Sequence, residues 1–173
     1  MRIERLGAGH DLTRFSCGLK QLDAWLRNHA LENQRRNLSR TFVMLNDANQ
    51  VVGYYSLSMG GVTREELPGR LGRGLPRYQV GVVLLARLAI DTRYQRQGLG
   101  RDLMAEAIRQ AVEAGSHVAA RFIAVDPVDH SARDFYRRFG FVTMPDNARR
   151  MFVRLDDAAL SLRQIKTEQP GEG

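Results

Sequence analysis

Residues Val82 to Asp91 (VVLLARLAID) form a nearly unbroken aliphatic run, and a turn over Thr92 to Gln97 leads from it into a helical pattern. A half-solvated strand would alternate apolar and polar residues, so this run predicts a central strand buried on both faces. Covering both faces takes helices, which predicts an α/β (α+β) architecture. The helix that follows carries Leu99, Leu103, Met104, Ala107, Ile108, Ala111 and Val112 on one face, and its pattern predicts about four turns closed near Gly115.

The rest of the chain supplies further elements. From Leu19 the positions Leu22, Trp25 and Leu26 predict an amphipathic helix running towards Leu31. Thr41 to Leu45 and Val51 to Met59 flank Asn46-Asp47-Ala48-Asn49 and predict an antiparallel hairpin. Gly60 to Gly81 is dense in glycine and holds Pro68 and Pro76, a long connection of the kind that usually has a function or moves. Val118 to Val125 predicts another strand. Asp129 is placed to cap a helix with Ala132, Phe135, Tyr136 and Phe139 on one face, and Gly140 suits the left-handed residue after it. Phe141 to Met144 and Met151 to Leu155 predict a last pair of strands, leaving Gln164 to Gly173 as an expected disordered tail behind one domain over residues 1–163.

Composition narrows the class. At 173 residues and 43% hydrophobic content the chain suffices for one folded domain. Cys17 is the only cysteine, which excludes an internal disulfide and a multi-cysteine zinc site. His10, His29, His117 and His130 lack metal-ligand spacing, so no metal is expected. No apolar run approaches the roughly 20 residues of a membrane span, and Met1-Arg2-Ile3-Glu4-Arg5 lacks a signal-peptide core. A cytoplasmic protein with no membrane partner is expected. The net charge is +7, and all basic residues except Lys20 and Lys166 are arginines. Arginine forks onto phosphate, which points to an anionic partner, although base composition or solubility explains the same bias.

The chemistry concentrates in Gln95-Arg96-Gln97-Gly98-Leu99-Gly100-Arg101, between strand and helix. Two glycines let backbone approach a ligand, and first-turn amides with the positive helix end favour an anion such as pyrophosphate. Leu103 breaks a Gly-x-Gly-x-x-Gly dinucleotide fingerprint, and no Gly-Lys-Ser/Thr phosphate loop exists. With Gln95, Gly98 and Gly100 after Arg87-Leu88-Ala89-Ile90-Asp91, and Ala132, Phe135, Tyr136, Gly140 and Phe141 on a later helix, the chain resembles the GNAT superfamily of acetyl-CoA-dependent N-acetyltransferases from about Ile3 to Leu155.

That resemblance implies a mixed central sheet of about six to seven strands flanked by helices, with a splay that holds acetyl-CoA as co-substrate. It assigns pantetheine to the backbone of Leu88, Ala89 and Ile90. Pyrophosphate goes to the turn opened by Gln95, with the amides of Arg96, Gln97, Gly98, Leu99, Gly100 and Arg101, while Asp129, Ala132 and Phe135 lie along the cofactor. Tyr136 is the implied general acid for the departing thiolate; otherwise Phe135 and Tyr136 are core aromatics. Asp129 stands where many of these enzymes carry Asn, which removes the support for a side-chain contact to pantetheine.

Phe15-x-Cys17-Gly18, Leu22-Asp23-x-Trp25-Leu26, Val52-Gly53-Tyr54-Tyr55-Ser56-Leu57, Leu85 to Asp91 and Arg150-Met151-Phe152 resemble, more narrowly, the GNAT toxins of bacterial toxin–antitoxin modules. Ala86 departs from the Gly that many of them have. The subgroup implies acetylation of the α-amino group of aminoacyl-tRNA, a block of translation, and a ribbon-helix-helix antitoxin as partner; a homodimer is left open. Val82 to Ile90 holds no carboxylate base, which favours an α-amine that is already largely neutral near pH 7 over a lysine near pKa 10.4. Arg35, Arg36, Arg40, Arg149 and Arg150 are candidate tRNA contacts or a solvated basic face. Arg87 either lies beside the reacting centre or pairs with a carboxylate such as Asp91 on the same strand face. Acetylation of a protein N-terminus or a small amine, and a non-catalytic acetyl-CoA-binding module, are the competing readings.

Overall fold

The computed structural model describes residues 1–143 and 149–167, with side chains up to Arg163. Strands β1 (Arg2–Arg5), β2 (Arg40–Leu45), β3 (Val51–Val62), β4 (Val80–Ile90), β5 (Ala120–Val125), β6 (Val142–Thr143) and β7 (Met151–Arg154) form one mixed sheet in the order β1-β2-β3-β4-β5-β7-β6. Helices α1 (Lys20–Asn28), α2 (Ala30–Arg35), α3 (Leu99–Val118), α4 (His130–Arg137) and α5 (Leu155–Thr167) complete the α/β fold. By its contacts the chain divides into two compact units, Met1–Ser58 with Leu85–Ala107, and Met59–Leu84 with Ile108–Gly173.

In the first unit β1, β2 and β3 pair antiparallel in series, Arg2 opposite Leu45 and Arg40 opposite Leu57. The predicted hairpin is present, while β1 was hidden by its polar residues. Its alternation is half-buried at Ile3 and Glu4 only, because β1 is the end strand of the sheet. The core here joins Phe15, Leu26, Val43, Tyr54 and Ala89, with Trp25 and Leu22 against it. The predicted N-terminal helix is two helices, interrupted at His29, whose ψ of −27° at φ −127° breaks the helical path. Gly53 is a close approach: a Cβ there would stand 2.7 Å from Ile90 Cδ1 and 3.2 Å from the Ala89 carbonyl.

In the second unit β5 pairs antiparallel with β7 and β7 with β6, over a core of Val62, Leu67, Val82, Phe122, Ala124 and Phe152. The long helix does not close at Gly115. It runs to Val118 and ends at Ala119, which takes the left-handed conformation at φ 57°, so β5 starts at Ala120 and Val118 is helical. Gly115 is explained by packing, since a Cβ would fall 2.5 Å from Leu155 Cδ1. Helix α5 carries on to Thr167, into the segment expected to be a tail; residues 168–173, and Met144 at the end of the expected strand, lie outside the described residues.

Candidate active site

In the first unit, β4 delivers the chain to Asp91, whose side chain is almost fully buried at 1% exposure. Its carboxylate accepts from the Ser16 amide at 3.1 Å, from the Arg93 amide at 3.0 Å, and from Arg93 Nε and Nη2 at 2.9 Å each. The Arg93 guanidinium, with these amides, holds the Asp91 carboxyl below the usual carboxylate range despite burial. Arg87 therefore does not pair with Asp91. Its guanidinium lies 3.9 Å over the Trp25 ring, which stacks on buried Tyr54 at 6.2 Å, and it makes no hydrogen bond or ion pair among the described residues. Trp25 is thus a cation platform as well as a core residue, a role its helical spacing did not signal.

After Asp91 a 3-10 turn over Thr92–Tyr94 leads to Gln95, whose amide group donates to the carbonyls of Cys17 at 3.0 Å and Ile90 at 2.9 Å. Gln95 is therefore a strut that ties the turn to the end of β4 through its Nε2. Arg96 at φ 60° and Gly98 at φ 84° turn the backbone left-handed just before α3. The Arg101 and Asp102 amides close onto the Gly98 carbonyl at 2.9 and 3.3 Å, whereas the amides of Gly98, Leu99 and Gly100 find no acceptor among the described residues. Exposed Arg96 and Arg101 have no ion-pair partner among the described residues either. The turn is an anion cradle in donors and charge.

In the second unit the Asp129 carboxylate accepts from the Ala132 amide at 2.7 Å and caps α4, so that side chain is occupied in holding the helix. Gly140, at φ 86°, closes it as expected. Between these ends Tyr136 is 8% exposed, edge-on to Phe135 at 5.4 Å and tilted against Phe141 at 5.8 Å. Burial pushes its phenol up to about 12, and its hydroxyl has no hydrogen-bond partner among the described residues. The group is a protonated donor at neutral pH with nothing of its own to donate to.

The basic candidates separate. Arg35 and Arg36 are exposed at the end of α2. Arg40 folds back to that end, bonding the carbonyls of Gln34 at 3.2 Å and Ser39 at 3.3 Å and the Asn37 side chain, so it stabilises the helix terminus and is not a free cation. Arg150 is likewise taken, bidentate on Asp126 at 2.7 Å through both nitrogens. Arg149 is exposed. Among the described residues no three His, Cys, Asp or Glu side chains converge in a metal-binding group.

Residues 10–141 match the family model for the acetyltransferase (GNAT) family. The tRNA-acetylating toxin of Mycobacterium tuberculosis (strain ATCC 25618 / H37Rv) is 38% identical over 154 residues, covering 89% of this chain and 92% of that one. Among solved structures, AtaT complexed with acetyl-methionyl-tRNAfMet is 30% identical at a TM-score of 0.83, covering 92% of this chain and 97% of that chain. A tyrosine-to-phenylalanine mutant of the AtaT toxin, bound to the C-terminus of the antitoxin AtaR and acetyl-CoA, is 27% identical at a TM-score of 0.77, covering 92% and 96%. With the Gln95-x-x-Gly98-x-Gly100 turn at the start of α3 and a buried, undonated tyrosine on α4, these matches make the chain a member of the acetyltransferase (GNAT) family, an acetyl-CoA-dependent acyltransferase.

Proposed function

We propose that this enzyme is a toxin that moves the acetyl group of acetyl-CoA onto the α-amino group of an aminoacyl-tRNA and so blocks translation. The observation that carries the reading is the 38% identity to a tRNA-acetylating toxin along nearly the full length of both chains. The residues present fit the donor: the amides of Gly98, Leu99 and Gly100 lack acceptors, and Arg96 and Arg101 add positive charge for a pyrophosphate. Leu88, Ala89 and Ile90 offer strand backbone to pantetheine. The family resemblance assigns Ala132 and Phe135 to the same ligand; Asp129 caps α4, and Gln95 ties the turn to the end of β4.

In the reaction the neutral amine nitrogen bonds to the thioester carbon as the carbon–sulfur bond breaks. Tyr136 holds a proton at its Oη for the leaving sulfur; the amine gives up its own proton to solvent, and solvent returns one to the Tyr136 phenolate, which restores the donor. No carboxylate lies on β4 between Val80 and Ile90, in keeping with an α-amine that needs no strong base. Arg87, poised on Trp25 with its N–H groups unpaired, fits an oxygen of the acceptor. Arg35, Arg36 and Arg149 fit tRNA phosphates. The same reading places the enzyme in the cytoplasm with a ribbon-helix-helix antitoxin, and a homodimer is compatible with it; no described helix is long and apolar enough to cross a membrane. Incubation with acetyl-CoA and charged total tRNA, then nuclease digestion and mass spectrometry, should yield acetyl-aminoacyl-adenosine. Acetylation of peptides or small amines with every charged tRNA left unmodified would replace this reading by generic N-acetylation.

A further inference from the structure

The connection between β3 and β4, residues 63–79, has no part in the reaction above, yet it is folded. The Glu66 carboxylate accepts from the Thr63 amide at 2.7 Å and hydroxyl at 2.9 Å across a 3-10 turn over Arg64–Glu66. Two tandem turns follow. The Leu71 and Gly72 amides donate to the Pro68 carbonyl at 2.7 and 3.2 Å, and the Leu75 amide to the Gly72 carbonyl at 3.3 Å, with Gly74 at φ 76° as the left-handed residue the second turn needs. Leu67, Leu71 and Leu75 pack on the core of Val62, Val82 and Phe122, so every fourth residue faces inward. Gly72 brings the second turn onto the first, since a Cβ there would stand 2.9 Å from the Arg64 carbonyl.

This packing leaves the arginines outside. Arg70 and Arg73 occupy turn corners, Arg64 the 3-10 turn, and Arg77 the strand approach; all four are exposed, with no side-chain hydrogen bond or ion pair among the described residues. The loop's carboxylates are Glu65, which is exposed, and Glu66, which is held by Thr63 and lies near Arg150. Beside Arg77, Tyr78 is 74% exposed, the one aromatic ring among the exposed large hydrophobic side chains of the described residues. Unpaired guanidinium groups suit phosphates, and an exposed ring adds a face on which an unpaired base stacks, a combination an acidic peptide does not require.

We propose that residues 63–78 form an RNA-docking surface, the arginines on phosphates and Tyr78 under an unpaired base of a single-stranded end. The choice of tRNA as the RNA rests on the acetylation reading. Binding of uncharged total tRNA to the full chain between 50 and 200 mM salt tests the surface with no acetyl transfer. The triple variant Arg70→Glu, Arg73→Glu, Arg77→Glu should weaken binding at least tenfold and lower the slope of log affinity on log salt by about two to three, while acetyl-CoA affinity, read by calorimetry, stays unchanged. Should the triple variant fail to fold, Arg70→Gln and Arg73→Gln alone should each lower the slope by about one. Tyr78→Ala should weaken binding about five- to a hundredfold, Tyr78→Phe should not, and the Ala effect should vanish on tRNA lacking its single-stranded 3′ end. Folded arginine variants with wild-type affinity and slope overturn the proposal, as does a Tyr78→Ala effect independent of the 3′ end or a wild type that binds no tRNA. A wild type that docks tRNA here but acetylates no charged tRNA leaves the surface standing and refutes the acetylation reading.

Discussion

Replacing Tyr136 by Phe removes one hydroxyl and keeps the ring against Phe135 and Phe141. Burial raises the phenol from 10 to about 12, so forming its anion costs about 3 kcal/mol more than in water. Against a thiol of ordinary pKa about 8.5, complete proton transfer would be uphill by about 5 kcal/mol, unless desolvation raises the leaving sulfur's basicity to match. The smaller contribution, a hydrogen bond to developing charge, is about 1.5 to 3 kcal/mol, and general acid catalysis as a whole spans 10²- to 10⁴-fold. The two ranges meet near 10², so kcat for Tyr136→Phe should fall about a hundredfold or more, with the KM for acetyl-CoA within about twofold of wild type. Initial rates with charged tRNA over pH 6 to 10 provide the assay. Because the folded pKa is raised, Tyr136 stays protonated across this range and no alkaline limb should arise from it. Its contribution to folding is complete below pH 10 and declines as pH rises towards 12. A folded Phe variant with more than a third of wild-type kcat would return Tyr136 to a packing role, and expression of the Phe variant without antitoxin would then still arrest growth.

Gly100→Val puts a branched side chain in the first turn of α3, where the pyrophosphate is placed, and should weaken acetyl-CoA binding more than tenfold by calorimetry. Unchanged affinity in a folded variant would move the donor elsewhere. Arg87→Met keeps an unbranched stem over Trp25 but removes the charge; KM for charged tRNA should rise about tenfold with KM for acetyl-CoA unchanged, and an equal rise in both would make Arg87 structural. Asp91→Ala strands the Ser16 amide and the Arg93 guanidinium, and thermal or urea unfolding should show a loss of about 2 to 3 kcal/mol. Since the folded carboxyl titrates below its unfolded value, its stabilisation is present above about pH 4 and is lost on acidification; a variant as stable as wild type at pH 7 would refute the role.

Local chemistry was legible in the sequence. The aliphatic run of β4, the Asp129 cap, Gly140 and the Gln95-x-x-Gly98-x-Gly100 turn are decided by neighbours within a few residues, and the side chains concerned carry that information themselves. Contacts between distant parts of the chain were not. Gly115 reads as a helix stop until Leu155, 40 residues on, fills the space of its missing side chain, and β1 reads as polar until β2 supplies its hydrogen bonds. Charge behaved the same way. Twenty-six basic residues were countable in the chain, but only the fold decides that Arg40 returns to its own helix end, Arg150 to Asp126 and Arg93 to Asp91, while Arg64, Arg70, Arg73 and Arg77 are turned to solvent by the leucines between them. A guanidinium reaches several residues beyond its own position, so its partner is set by what tertiary packing brings within hydrogen-bond distance.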